Sequence, residues 1–235
     1  MWWIDRRLQP WPHKADLRLF VFKMDHTITS IKVQKRNPNR LALYLDGEFA
    51  FGLARIVAAW LSIDQVLSDD EIATLQEKDY QEGAYQYAIL VLSYRPRSVV
   101  ELRQKMEAKG YSEAVMDRVI ERMTQSGLLN DAQFAQSWVE NRSAFHPRSR
   151  RALTMELHRK GVIDEVIDQT LGETGNEEEM AYHAAQRQAR KLAGLERFEF
   201  RNKLGAFLGR RGFSYDTISP VINRLWNEIH MEENG

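Results

Sequence analysis

The chain has 235 residues, and its 33 basic and 33 acidic side chains leave no formal net charge, which excludes a uniformly cationic nucleic-acid coat. Hydrophobic residues make up 43% and charged residues 28%, the balance of a soluble globular protein and not of a disordered tail. Cysteine is absent, so disulfides, thiolate nucleophiles, zinc ribbons and iron-sulfur clusters are excluded, and a reducing, cytoplasmic setting is expected.

Residues 1–26 carry Trp2, Trp3 and Trp11 beside Pro10 and Pro12 with no sustained period. A disordered extension is expected there, without the apolar stretch of a secretory signal, and Met24 is a candidate start of the natural protein. From Ile28 the pattern becomes period two. Ile28 to Gln34 and Leu41 to Leu45 read as strands separated by a turn at Asn37-Pro38-Asn39. Asp46-Gly47 is a two-residue hairpin signal that returns the chain through Glu48 to Leu53. No later strand is expected. Ser68 to Glu71 reads as a capping box opening a helix. The most apolar stretches, Phe49 to Leu61 and Tyr87 to Leu92, are broken by Gly, Arg or Ser and fall short of the roughly 20 residues that span a bilayer, so no membrane association is expected.

The remainder repeats itself. Lys109-Gly110, Lys160-Gly161 and Arg211-Gly212 are spaced 51 residues apart, each followed by an apolar residue, Tyr111, Val162 or Phe213. In the same register stand Leu102 and Met106, Leu153 and Leu157, Leu204 and Leu208 before the glycine. After it come Met116 and Ile120, Ile167 and Leu171, Ile218 and Ile222. Each pair marks one helix face. Were about one residue in three of this kind, twelve matches would arise by chance about once in half a million registers. A third helix precedes each pair: Tyr85 to Tyr94, Asn130 to Phe145 and Glu177 to Leu192. The expected fold is mainly α, with three tandem three-helix repeats in an elongated curved array, preceded by a small antiparallel sheet and a short helical linker. The limits expected are 1–26 for the extension, 27–82 for the β-hairpin region and linker, and 83–131, 132–180 and 181–235 for the repeats. Units of this size bury too little surface to be secure alone and are expected to lean on their neighbours.

Tyr94-Arg95-Pro96-Arg97-Ser98 and His146-Pro147-Arg148-Ser149 lie at one offset, whereas the third repeat has Phe198-Glu199-Phe200. Ser98 with Glu101 forms a second capping box, so helix initiation explains much of this motif. Cations accumulate further along: Arg142, Arg148, Arg150, Arg151, Arg159 and Lys160 in the second repeat, and Arg201, Lys203, Arg210 and Arg211 among others in the third. At about 100° per residue, Arg148, Arg151 and Arg159 share a stripe with Met155 opposite the Leu153 and Leu157 face. A solvated face is the ordinary meaning of such charge; its recurrence points to a polyanionic partner. Helix-turn-helix readout of DNA is disfavoured, because the would-be recognition helices open on Glu113, on Asp164-Glu165 and on Asp216, carboxylates that phosphates repel. Neither a metal-binding histidine pair, a phosphate-cradling loop nor a nucleophile elbow is found. No enzyme activity and no cofactor are expected.

Several motifs in order resemble the RecX family of regulators of the RecA recombinase. They are Lys32 to Asn37, Tyr44 to Phe49, Tyr94 to Ser98, Gly127 to Asp131, Phe134-Ala135, Glu140 to Ser143, Glu156-Leu157, Lys160-Gly161 and Arg211 to Phe213. The resemblance runs from about Ile28 to Ile229. It implies a non-enzymatic protein that binds the RecA-DNA filament along its groove and usually suppresses ATP hydrolysis and strand exchange in recombination, DNA repair and the SOS response; a monomer is expected. Sequence-independent contact with single- or double-stranded DNA is implied as well. The candidate filament or DNA contacts are Arg95, Arg97, Arg142, Arg148, Arg151, Arg159, Lys160, Arg201, Lys203, Arg210 and Arg211. An alternative function is a general nucleic-acid-binding module that competes for single-stranded DNA.

Overall fold

The computed structural model describes residues 24–232; the expectations placed on residues 1–23 lie outside them. The chain falls into two compact units divided between Tyr80 and Gln81. In the first, β1 (Asp25–Gln34), β2 (Asn37–Leu45), β3 (Glu48–Ala54) and β4 (Val66–Ser68) form an antiparallel sheet in the order β3-β2-β1-β4. The hairpin between β2 and β3 turns at Asp46 and Gly47, both at positive φ (53° and 91°), the geometry for which a two-residue loop selects these residues. Ile28, Leu43, Leu53 and Leu67 are buried in one cluster with Leu75.

Three expectations change here. Residues 37–39 belong to β2, and the chain reverses at Lys35-Arg36 instead. Val33 pairs with Leu41 but Gln34 with Asn37, so a bulge takes up Pro38, whose missing N–H suits no regular ladder. β4 was not expected; at three residues it is too short to show a period, yet it pairs with Asp25 to Thr27. That pairing draws Asp25 and His26 into regular structure, where an unpatterned extension was expected.

α1 (Asp69–Tyr94) opens with the expected capping box: the Ser68 amide donates to the Glu71 carboxylate at 2.8 Å, and the Glu71 amide to the Ser68 hydroxyl at 3.4 Å. A linker helix and a separate helix from Tyr85 were expected, but a single helix of 26 residues covers both. Gly83 lies inside it with open space around it. One interior glycine costs a helix about 1 kcal/mol, too little to break a ladder that propagates cooperatively on both sides.

The second unit contains α2 (Val99–Lys109) and α3 (Glu113–Gln125), then α4 (Asp131–Phe145), α5 (Arg150–Arg159) and α6 (Asp164–Gly172), then α7 (Glu177–Lys191), α8 (Arg197–Gly209) and α9 (Tyr215–Glu232). With the C-terminal part of α1 these make three tandem three-helix repeats, each around its own core. All twelve aliphatic positions in the 51-residue register are buried, none more than 9% exposed. Gly110, Gly161 and Gly212 take φ of 92°, 77° and 91°, the left-handed cap that side chains reach only at a cost. The amides of Tyr111, Val162 and Phe213 then close back onto the carbonyls of Met106, Leu157 and Leu208 at 3.2, 3.2 and 3.4 Å, ending the helix at the glycine as its spacing implies. The third repeat departs where its sequence does. α8 starts at Arg197, about a turn earlier in register than α5, and Phe200 occupies the place of Ser98 and Ser149, fully buried against Trp226.

Candidate binding surface and the seams between repeats

The recurring Ser-containing motif lies where one repeat meets the next. Ser98 and Ser149 are each fully buried and cap α2 and α5, accepting the amides of Glu101 and Ala152 at 3.1 Å. Each also holds the glycine turn of the following repeat. The Ser98 hydroxyl donates to the Lys160 carbonyl at 2.5 Å, and the Ser149 amide donates to the Arg211 carbonyl at 3.0 Å. The turns approach closely: a Cβ on Gly161 would strike the Val100 side chain, and one on Gly212 would stand 2.6 Å from the Ser149 hydroxyl. Glycine is therefore required at these two positions by the neighbour as well as by its φ.

At the first seam the second half of the expected capping box is diverted. The Glu101 carboxylate turns away from its own helix start and binds Arg95 (2.9 Å) and Lys160 (2.5 Å). Burial works against ionisation, but the hydrogen bonds and charges of Arg95 and Lys160 outweigh it and hold Glu101 down at about 2. The Asp131 carboxylate, at the start of α4, accepts the Val99 amide at 2.8 Å, while burial pushes its pKa upward. Arg97 donates to the Val91 carbonyl at 3.3 Å. Arg95, Arg97 and Lys160 thus have structural work within the second unit.

The second seam has the same backbone joint and different charges. Ala152 stands where Glu101 stands in the first, both being the third residue after the capping serine. Arg148 donates to the Arg210 carbonyl at 3.0 Å and lies 3.6 Å from Glu156. Arg211 stacks on Phe207 at 3.6 Å. The Nε atoms of both Arg148 and Arg211 are buried without a hydrogen-bond partner. Burial first, and then the charges of Arg148 and Arg210, lower the pKa of Arg211.

Around these seams the other candidates separate into held and open cations. Glu156, the lone acid among the bases of its segment, binds Arg142 at 2.7 Å and the Trp138 indole at 2.9 Å, and Arg142 also lies over the Trp138 ring. Arg201 donates to the Tyr215 hydroxyl at 2.8 Å, and Lys203 lies 4.0 Å from Glu199. Arg151, Arg159 and Arg210 are exposed, as is Met155 between the first two. The expected Arg148-Arg151-Arg159 stripe is thus open at Arg151 and Arg159, with Arg148 turned into the seam. In the sequence Glu101 stands out only as half of a capping box and Ala152 not at all, although their contrast is visible at matching positions of the 51-residue register. Among the described residues no group of three or more acidic or histidine side chains could hold a metal, and no helix is long and apolar enough to cross a membrane.

A serial scaffold of three-helix modules, joined through serine-glycine seams and edged with cations, is the class of protein that this geometry defines. Residues 26–68 match the regulatory protein RecX N-terminal domain, and 84–123, 130–171 and 176–222 match the first, second and third RecX three-helix domains in order. The chain belongs to the RecX family. A relative in Clostridium perfringens strain SM101, the regulatory protein RecX, is 29% identical over 211 residues, covering 87% of this chain and 99% of its own. The protein of that name in Amycolatopsis mediterranei strain U-32 is 33% identical over 162 residues, covering 68% of this chain and 93% of its own. A crystal structure of regulatory protein RecX superposes with a TM-score of 0.70 at 23% identity, over 84% of this chain and 99% of that one, a likeness of fold.

Proposed function

We propose that this protein binds the RecA-DNA filament and lowers RecA ATP hydrolysis and strand exchange, without catalysis of its own. Membership of a family of regulatory proteins carries the reading. The physical support is the set of exposed cations, Arg151, Arg159 and Arg210, which the fold does not consume and a polyanionic assembly would attract. Titration of the purified protein into RecA on single-stranded DNA should depress ATP hydrolysis at or below equimolar ratios. Hydrolysis and strand exchange unaltered across a wide titration would refute the proposal.

A second reading, a module that competes for single-stranded DNA, has one observation in its favour. Tyr94 and Phe145, 51 residues apart at the ends of α1 and α4, are 76% and 71% exposed beside Arg95 and His146. Aromatic faces next to cations are stacking platforms for unpaired bases. Binding to naked strands that weakens by about 0.7 in log K per neutralised phosphate per tenfold rise in salt, with no affinity for RecA, would favour this reading.

A further inference from the structure

The two seams share a joint and differ in one acid. In the first, Glu101 provides the carboxylate that Arg95 and Lys160 bind. In the second, Ala152 provides none; Arg148 donates to the Arg210 carbonyl at 3.0 Å and lies 3.6 Å from Glu156, and the buried Nε atoms of Arg148 and Arg211 have no hydrogen-bond partner. Neither Arg210 nor Arg211 has a carboxylate partner among the described residues. Ala152 itself lies at the joint, 3.0 Å from where a Cβ on Gly212 would stand. Arg210 is exposed, and Arg148 and Arg211 are half-buried, so the cluster can be reached from solvent.

We infer that the second seam is a carboxylate site completed in trans: an aspartate or glutamate side chain of a partner protein enters the place that Glu101 fills at the first seam and is held by Arg148, Arg210 and Arg211. The occupant is indicated by the chain itself, since the matching joint one repeat earlier already contains a carboxylate between two cations. Guanidinium groups suit this role, because their planar forks bind a carboxylate through paired N–H donors. A single acid entering the cluster would offset the charges of Arg210 and Arg211, Arg148 already lying 3.6 Å from Glu156, and would anchor a partner across two repeats. The site does not depend on which acidic partner fills it.

The test measures binding of a fluorescent, end-blocked poly-glutamate peptide to the full chain, with an oligothymidylate of similar charge as the second probe. Ala152→Glu supplies the missing carboxylate from within and should weaken peptide binding about tenfold or more, as loss of a close charge pair does. Ala152→Gln, of the same size without the charge, should weaken it less than Ala152→Glu does. Arg210→Ala, at an exposed position that needs no repacking, should weaken it too and decides the matter if Ala152→Glu fails to fold. Peptide binding that is absent, or is indifferent to both Ala152→Glu and Arg210→Ala, would overturn the inference. So would a loss confined to the oligothymidylate, which would make the cluster a phosphate site. Neither probe contains RecA, so failure here is distinct from failure of the regulatory reading.

Discussion

Replacing Glu101 with Gln removes the one carboxylate that ties Arg95 to Lys160 across the first seam. Its side chain is 12% exposed, and its pKa is held at about 2 against an ordinary 4.5. At about 1.4 kcal/mol per unit this corresponds to about 3 kcal/mol of stability. Arg95 is 46% exposed, so solvent screens its share, and about 2 kcal/mol is the expected loss. Because the folded value is depressed, the contribution is full above 4.5 and disappears as pH falls towards 2. Urea denaturation followed by circular dichroism at neutral pH should therefore show the Glu101→Gln protein less stable by that amount, and the gap should shrink to less than half by about pH 3. A gap of equal size at both pH values would mean that the ion pair contributes nothing, and would refute the electrostatic account of this seam.

Further outcomes follow from the same geometry. Gly110→Ala should cost only the left-handed backbone penalty of about 1–2 kcal/mol, since nothing stands within 4 Å of its Cβ position. Gly161→Ala, driven against Val100, should cost about 1–3 kcal/mol more; equal melting shifts would show that the seam yields freely. Leu153→Asp places a carboxylate at a fully buried position and should abolish cooperative folding of the second repeat, visible as lost amide protection in α4 to α6. Arg151→Glu with Arg159→Glu should leave the melting temperature nearly unchanged while weakening filament binding, and retained binding would show that these cations are only a solvated face. In the first unit a hydrogen bond to Asp46 raises the His26 pKa above 6.5. The stabilisation it gives is full below that ordinary value and is lost as pH rises through the raised one. Histidine NMR titration of the full chain should show the elevated midpoint and a fall in Asp46→Asn, with Asp69, 3.4 Å away, keeping part of the elevation.

The helical half of the fold was legible because its signals are local and thrice repeated. An aliphatic residue at four-residue spacing and a glycine at a helix end mean the same thing wherever they stand, so all twelve core positions and all three left-handed turns followed from spacing. What failed depended on partners distant in sequence. β4 exists because Asp25 to Thr27 lie alongside it, and Pro38 sits on a strand because a bulge at Val33 and Gln34 makes room. The box at Ser98 and Glu101 was half right for the same reason: Lys160, 59 residues on, competes for the carboxylate. Among the candidate contacts, composition marked the cations but not their neighbours. Glu156 and Glu101 engage Arg142, Arg95 and Lys160, whereas Arg151 and Arg159 on the same segment remain exposed.

Phe200 carries a consequence of its own. At the first two seams a buried serine at the start of the middle helix receives the turn that follows, through its hydroxyl at Ser98 and its amide at Ser149, whereas in the third repeat that place is an aromatic ring sunk into its own core. At that place there is no hydroxyl, and the Phe200 amide is already given to the Glu196 carbonyl at 2.9 Å. The serine joint thus occurs at the first two repeats, and the third fills the same place with core.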